Sequence, residues 1–385
     1  MRFKFEKVRF DFIEITVFIF IITKNINSIA CFSGYKIINT VCTLVELLSY
    51  TTLVLIIWRN SKLYIKHKYL IIFLTVLFGI IFLKSRTIVF IVAALIYFVS
   101  KDTYFEKITE MIWKAYFLLI LLSFALYFMG ISNGGVSRAY SAKRVAPALG
   151  FTHANVGGYI FMMMFFAKLA TDIQKAYSKK KERKTIIKDS LFCIGNLIIV
   201  FFVFKCRTVT IVCLLTMILL SVMIRINFNN RLLKYVFCMA HPIMLSLTYI
   251  SAIVYPNSIT LFLDKIITSR FFLLNYHLMR NQITLFGSIV DYSIYTLDNS
   301  YLSFLLQYGL IPTLVFVFAS IITVCKAWKN KDGYIIALLL GFLMYGFTEN
   351  GIFDIYVNFT YLYLLVGNSP LKMKFPKSFL RRDNI

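Results

Sequence analysis

Acidic side chains are scarce in this chain: 17 Asp and Glu among 385 residues, against 42 Lys and Arg. Charged residues of both signs reach only 15%, where a soluble domain carries about 25%. There are six prolines, four histidines and seven cysteines. No CxxC pair occurs, and no Cys/His spacing suits a metal. A P-loop, GxGxxG, HExxH and GxSxG are all missing as well. These absences exclude a soluble enzyme, a disordered chain and a secreted disulfide scaffold.

What is present is apolar. Hydrophobic residues make up 59% of the chain and aromatics 17%, with 39 Phe and 24 Tyr. A soluble fold cannot hide that much apolar surface. The expected class is an all-α polytopic membrane protein forming one membrane domain over 1–385. Apolar runs separated by charged breaks predict about twelve spans. They fall at 10–30, 37–58, 69–84, 87–100, 112–130, 153–171, 189–204, 208–224, 235–255, 301–322, 333–349 and 353–369. The pair 69–84 and 87–100 is short enough for a re-entrant hairpin. The basic start reads as leading into an uncleaved first span, since no small-x-small cleavage site follows it.

The net charge of +25 on a soluble domain would suggest nucleic acid. Here it marks cytoplasmic loops, which retain Lys and Arg during insertion. With both termini in the cytoplasm, 30 of the 42 basic residues lie inside and 12 outside. Loops 130–155 and 255–300 then face outward, and the strongly basic loop 172–188 faces the cytoplasm. Lys84-Ser85-Arg86-Thr87 and Lys205-Cys206-Arg207-Thr208 echo one another at two outer hairpin tips, as a structural repeat or by chance.

Six Arg stand on the outer side against the topological bias: Arg86, Arg138, Arg144, Arg207, Arg270 and Arg280. The planar guanidinium fork binds phosphate oxygens in pairs and stays charged when desolvated. An anionic lipid headgroup or a lipid-linked phosphate fits such a set; snorkelling to ordinary phospholipid is the plainer account. Residues 270–285 read as an amphipathic interfacial helix that turns Arg270, His277 and Arg280 toward the protein. Four residues are candidate acids or bases: Asp298, His277, His153 and Glu349. His277 reads equally as a hydrogen-bonding interface residue, and Asp298 as a helix N-cap. Gly150 and Pro147 shape the turn before His153 and Asn155. Glu349, Asn350 and Asp354 gather at the last outer turn. Glu46, inside a span, would suit a transporter's coupling site.

Three stretches carry a family resemblance. Arg144 precedes Gly150-Phe151-Thr152-His153-Ala154-Asn155. Arg270 opens a helix leading to Phe286-Gly287. Asp298-Asn299-Ser300-Tyr301-Leu302 is followed by Tyr308-Gly309-Leu310-Ile311. In these, and in its whole hydropathy profile, the chain resembles Wzy-type bacterial polysaccharide polymerases, distant relatives of the O-antigen ligases. The ligases usually carry His-Asn where this chain has Asp298-Asn299, which argues against a ligase.

The resemblance implies a glycosyltransferase C-type helical architecture in the bacterial plasma membrane, with no cofactor and no metal. It implies undecaprenyl-diphosphate-linked glycans as donor and acceptor, joined on the outer face into capsule or O-antigen. The richness in Lys, Ile, Phe and Asn suits a low-GC bacterium and favours capsule. Arg144, Arg270, Arg280, Arg86, Arg207 and Arg138 would hold the diphosphate, with Asn299 and Tyr301 beside them, and Asp298 is the first choice of base. Membrane lipid, a flippase and a chain-length regulator are the expected partners, and nucleic acid is not. A flippase or other transporter and a ligase-like transferase are the competing readings.

Overall fold

The computed structural model describes residues 15–59, 105–132, 137–138, 145–178, 192, 194–266, 269–351 and 358–364, with positions 76, 80, 83 and 84. The expected spans 69–84 and 87–100 lie almost wholly outside these, as do Arg86, Arg144, Asp354, most of loop 172–188 and the basic tail. Of the span expected at 353–369, only 358–364 is described.

The described chain is mostly helical. In order, the helices are α1 (Ile15–Ser28), α2 (Lys36–Arg59), α3 (Phe105–Phe128), α4 (Ala154–Ser178), α5 (Ile194–Val203), α6 (Arg207–Arg225), α7 (Arg231–Cys238), α8 (Ala240–Val254), α9 (Ser258–Ile266), α10 (Arg270–Arg280), α11 (Ser300–Tyr308), α12 (Leu310–Asn330), α13 (Gly333–Thr348) and α14 (Phe359–Leu364, a 3-10 helix). α5 ends in a π turn. One antiparallel ladder pairs β1 (Ser137–Arg138) with β2 (Val145–Ala146).

Among the described residues, four helices are long and apolar enough to cross a membrane: α3, α4 through Gln174, α6 and α12. The count is five if α7 and α8, bent by 42° at their junction, form one broken span. These helices also leave wide apolar faces uncovered. Ile211 and Ile218 of α6 and Phe318 and Ile322 of α12 are each more than half exposed. Such faces are at home against lipid and costly in water. The chain is a membrane protein.

Helices that are apolar all round belong in the middle of a bundle. α4 is buried from Ile160 to Ala167, and α13 from Tyr334 to Leu339. α3 runs along α4, and α6 runs along α13. Lipid tails are as apolar as Leu, so close packing and interhelical hydrogen bonds hold these contacts. Gly341 of α13 lets Thr216 of α6 approach so closely that a Cβ at 341 would stand 2.3 Å from its hydroxyl. Thr171 Oγ1 bonds Thr109 Oγ1 at 2.9 Å, and the Gln174 amide donates to the Tyr334 hydroxyl at 2.8 Å.

The span expected at 301–322 is two helices. Gly309 (φ 92°) breaks it, because a positive φ cannot continue an α-helix. The break is a backbone clasp. Leu310 N–H donates to Thr284 O at 2.9 Å and Ile311 N–H to Leu285 O at 3.1 Å. Gly287 (φ 83°) sits against Gly309, where a Cβ on either would meet backbone at 2.3 Å or less. The Phe286-Gly287 and Tyr308-Gly309 motifs therefore lock together. α12 alone is about 31 Å long at 1.5 Å per residue, enough to cross, so α11 is an extra segment at the clasp end.

Pairings along the bundle sort its two ends. One gathers the turns at 148–155, 205–207, 298–300 and 347–351, through contacts such as Cys206 with Asn155 and Asn299 with Phe347. The other gathers Met223 against Gly333, Phe228 against Trp328, and Lys326 with Tyr363. Glu46 pairs with Lys24 at 2.7 Å, which compensates the charge that a transporter's coupling site would use.

Candidate functional site

Arg270 is the hub of the first end. It opens α10, which is started by a residue from the preceding helix. Asp264 Oδ1 accepts Phe271 N–H at 2.6 Å and Phe272 N–H at 3.4 Å. A carboxylate there satisfies orphan donors and complements the helix dipole. Ser269, in the left-handed region (φ 63°), makes the turn, and its N–H donates to Asp264 O at 2.9 Å. Asp264 thus aims Arg270. Sequence reasoning missed it, because a cap is sought at the helix's own N-cap position, Ser269, not five residues upstream of it.

The guanidinium fork spans two acidic residues. Nη2 donates to Glu349 Oε1 at 2.7 Å. Nη1 donates to the Asp298 carbonyl at 2.9 Å and lies 3.6 Å from Asp298 Oδ2. The side chains of Arg270 and Glu349 are each 13% exposed, while Asp298 is 41% exposed. Burial raises the Glu349 carboxyl to about 7. The Arg270 charge pulls against that rise, and the Asp298 charge adds to it.

Two further elements reach this cluster. His153 precedes α4, and its Nδ1 accepts Asn155 N–H at 3.1 Å, so Nε2 carries the proton of the neutral ring. Burial lowers its pKa, and the nearby Asp298 charge opposes the shift. Gly150 (φ 89°) holds the turn before it, backed onto Ser123 where a Cβ would stand 2.4 Å from the backbone oxygen. Gly157 and Gly158 of α4 admit Phe204 and Cys206. Cys206 donates through sulfur to Asn155 Oδ1 at 3.8 Å, and burial, then the Glu349 charge, pushes its thiol to about 12. It is a protonated neighbour at neutral pH.

The structure thus brings together Arg270, Asp298, Glu349 and His153 of the expected set. It assigns others elsewhere. The N-cap of α11 is Asn299, whose Oδ1 accepts Leu302 N–H at 2.9 Å while its amide donates to Phe347 O at 2.7 Å. With both ends of that buried amide committed, a substrate role for Asn299 gives way to a structural one, and Asp298 is released from the cap role. Tyr301 is fully buried and its hydroxyl donates to Leu343 O at 2.7 Å, so it ties α11 to α13 and does not face a substrate.

The helix expected at 270–285 ends at Arg280. Its buried stripe is Phe271, Leu274 and His277. Nε2 of His277 donates to Tyr295 O at 3.0 Å, pinning the 281–299 segment. His277 lies two turns, about 10 Å, along the helix from Arg270, which favours the hydrogen-bonding role over catalysis. Arg280 is exposed and stacks on Tyr276 at 4.3 Å, away from the cluster and not turned inward. Arg207, first residue of α6, is exposed at the same end as the cluster. Arg138 lies in β1, and Arg86 and Arg144 are outside the described residues.

Among the described residues, no three His, Cys, Asp or Glu side chains gather as a metal-ligand set. What the cluster offers is a fixed guanidinium, an accessible carboxylate, a carboxyl that titrates near neutrality and a neutral imidazole. No family model, curated protein or solved structure matches this chain.

Glu349 gives a signed pH effect. Its pKa is raised from 4.5 to about 7, so the folded state holds the proton more tightly than the unfolded state between those values. Stability carried by this group falls as pH rises through that window and levels off above it. Glu349→Gln removes the titration. The difference in melting temperature between wild type and this variant is expected to shift in the variant's favour from pH 4.5 to 7.5, measured by thermal unfolding in nanodiscs. A pH-independent difference refutes the raised pKa.

Proposed function

We propose that this chain is a membrane glycosyltransferase that joins polyprenyl-diphosphate-linked oligosaccharide repeat units into a surface polysaccharide, in the manner of the Wzy-type polymerases it resembles. The observation that carries the reading is the Arg270 fork held between Asp298 and Glu349 at one end of an apolar helical bundle. A lipid-linked donor keeps its tail in the bilayer and its diphosphate at that level, so the reacting groups must sit at a helix end. In this reading the end lies on the outer face of the bacterial plasma membrane.

The chemistry uses the side chains in place. The acceptor hydroxyl oxygen attacks the anomeric carbon of the donor sugar. The bond from that carbon to the diphosphate oxygen breaks, and the diphosphate leaves with the electron pair. The acceptor proton passes to Asp298, the exposed carboxylate. Negative charge grows on the leaving group, and a preorganised guanidinium stabilises it. Glu349 tunes that step. When it takes a proton, its ion pair with Arg270 becomes a hydrogen bond from the charged guanidinium to a neutral carboxyl, and the guanidinium charge is available to the diphosphate. An arriving anion favours that protonation.

The test is removal of the gene from its host, with analysis of lipid-linked saccharides. The expected result is loss of long polymer and accumulation of single repeat units that an impermeant glycosidase can reach from outside. Units protected from the glycosidase would make the chain a flippase. Polymer that is made on the lipid but never transferred would make it a ligase-like transferase. Either outcome overturns the polymerase reading.

A further inference from the structure

Beside the Arg270 cluster is a cavity of about 270 Å³ lined by Ser300, Ser303, Phe304, Gln307, Tyr308, Asn350 and Gly351. It lies between α11 and the turn after α13. Among the described lining residues, five side chains carry a hydroxyl or an amide, two of the seven are aromatic, and none is charged. Ser300, Ser303 and Gln307 recur at helical spacing, so one face of α11 is polar inside an otherwise apolar helix. Phe304 and Tyr308 lie one turn apart on it, with ring centroids 4.7 Å apart.

Part of this polar lining is held in place and part is uncommitted. Asn350 Nδ2 donates to Ser303 Oγ at 3.1 Å and its Oδ1 accepts Gly351 N–H at 2.9 Å, which leaves the second amide hydrogen of this exposed residue for a ligand; Ser303 Oγ lies 3.2 Å from the Tyr292 hydroxyl. The half-buried Gln307 amide, by contrast, has no side-chain hydrogen-bond partner among the described residues. Its polar atoms are open to the cavity and not sealed from solvent, so the Gln307 amide is an accessible donor and acceptor there with capacity to spare. The cavity also adjoins the acid cluster: Ser300 Oγ donates to the Glu349 carbonyl at 2.7 Å, and Asn350 and Gly351 follow Glu349 in the chain.

We infer that this cavity is a subsite for one neutral sugar ring, read by Gln307 and Asn350 and backed by Phe304 and Tyr308. Amides and hydroxyls exchange hydrogen bonds with sugar hydroxyls, and aromatic rings cover the sugar's C–H faces. The described lining holds no cationic fork of the kind that takes a phosphate. The volume is just under the roughly 300–1,000 Å³ of small-molecule pockets, which suits one ring and not an oligosaccharide. The inference rests on the glycan-transfer reading, for which it supplies the place of the sugar nearest the reacting bond.

The experiment is saturation-transfer NMR on the full chain in nanodiscs prepared without sugar-headed detergent. The probes are methyl glycosides of a hexose, an N-acetylhexosamine and a 6-deoxyhexose at millimolar concentration. The expected result is transfer to at least one glycoside, reduced several-fold in both Gln307→Ala and Asn350→Ala and retained in Arg225→Lys, an exposed residue at the far end of α6, with thermal unfolding showing all three variants folded. No transfer to any probe in the wild type overturns the subsite, and so does transfer that neither lining variant weakens. The outcomes separate from those of the function test. A chain that polymerises but binds no glycoside loses only the subsite, and one that binds through Gln307 but does not polymerise keeps it.

Discussion

Asp298→Asn is expected to leave cells with single lipid-linked repeat units and no long polymer, at a normal level of protein. The substitution separates chemistry from structure because Asp298 has little structural duty. The cap of α11 is Asn299, so helix initiation is untouched. The bond from Arg270 Nη1 goes to the Asp298 main-chain carbonyl, which Asn retains. What is lost is an ion pair of 3.6 Å to a side chain 41% exposed, worth about 0–1 kcal/mol when solvent-screened. An amide cannot accept the acceptor's proton, and losing a general base costs about 10²–10⁴ in rate. Chain length on the lipid carrier is the readout. Polymer of normal length from Asp298→Asn would remove Asp298 from the chemistry and leave Glu349 as the remaining carboxylate to test.

How far the fold was legible depends on which interaction decides each element. Runs of apolar residues decide helices, and α4, α6 and α13 begin within a residue of their expected starts. Breaks are decided by backbone geometry between distant segments. Gly309 ends α11 because its amide neighbours bond residues 284 and 285, and a hydropathy profile runs straight through it. The bend between α7 and α8 is hidden in the same way. Helix 270–285 is short by a turn, since Asn281 leaves the helix and its side chain returns to the His277 carbonyl at 2.9 Å.

The candidate site shows the same division. Arg270, Asp298, Glu349 and His153 come from four separate parts of the chain, and each stood out as a polar residue at the edge of an apolar run. Their convergence rests on contacts no local pattern encodes: the Asp264 cap, the glycines at 157 and 158, and the clasp at 287 and 309. Asp298 and Asn299 could not be told apart as caps from sequence, because Asp and Asn serve about equally well. The extended backbone at Asn299 (φ −151°, ψ 119°) decides it. Tyr301 looked like a site residue because it sits in the motif, yet helical rotation turns it into the core. A motif marks a neighbourhood, and the turn of the helix decides which members face it.

Arg270→Lys is the second large effect, and it tests the geometry of the fork. Lysine keeps the positive charge but concentrates it on one ammonium. Arg270 reaches Glu349 with Nη2 and the Asp298 carbonyl with Nη1, at 2.7 and 2.9 Å, and a single ammonium cannot reproduce that planar pair of contacts. If charge alone mattered, Lys would serve. If the fork orients charge toward a developing diphosphate, its loss costs about 10²–10³ in rate, as for a missing transition-state donor. The variant also loosens the hold on a mostly buried carboxylate, so protein level and thermal unfolding must be measured beside polymer length. Glu349→Gln combined with Arg270→Lys removes that carboxylate's charge and should restore stability without restoring polymer. Wild-type polymer length from Arg270→Lys, or recovery of polymer in the double variant, would show that Arg270 serves the fold and not the leaving group.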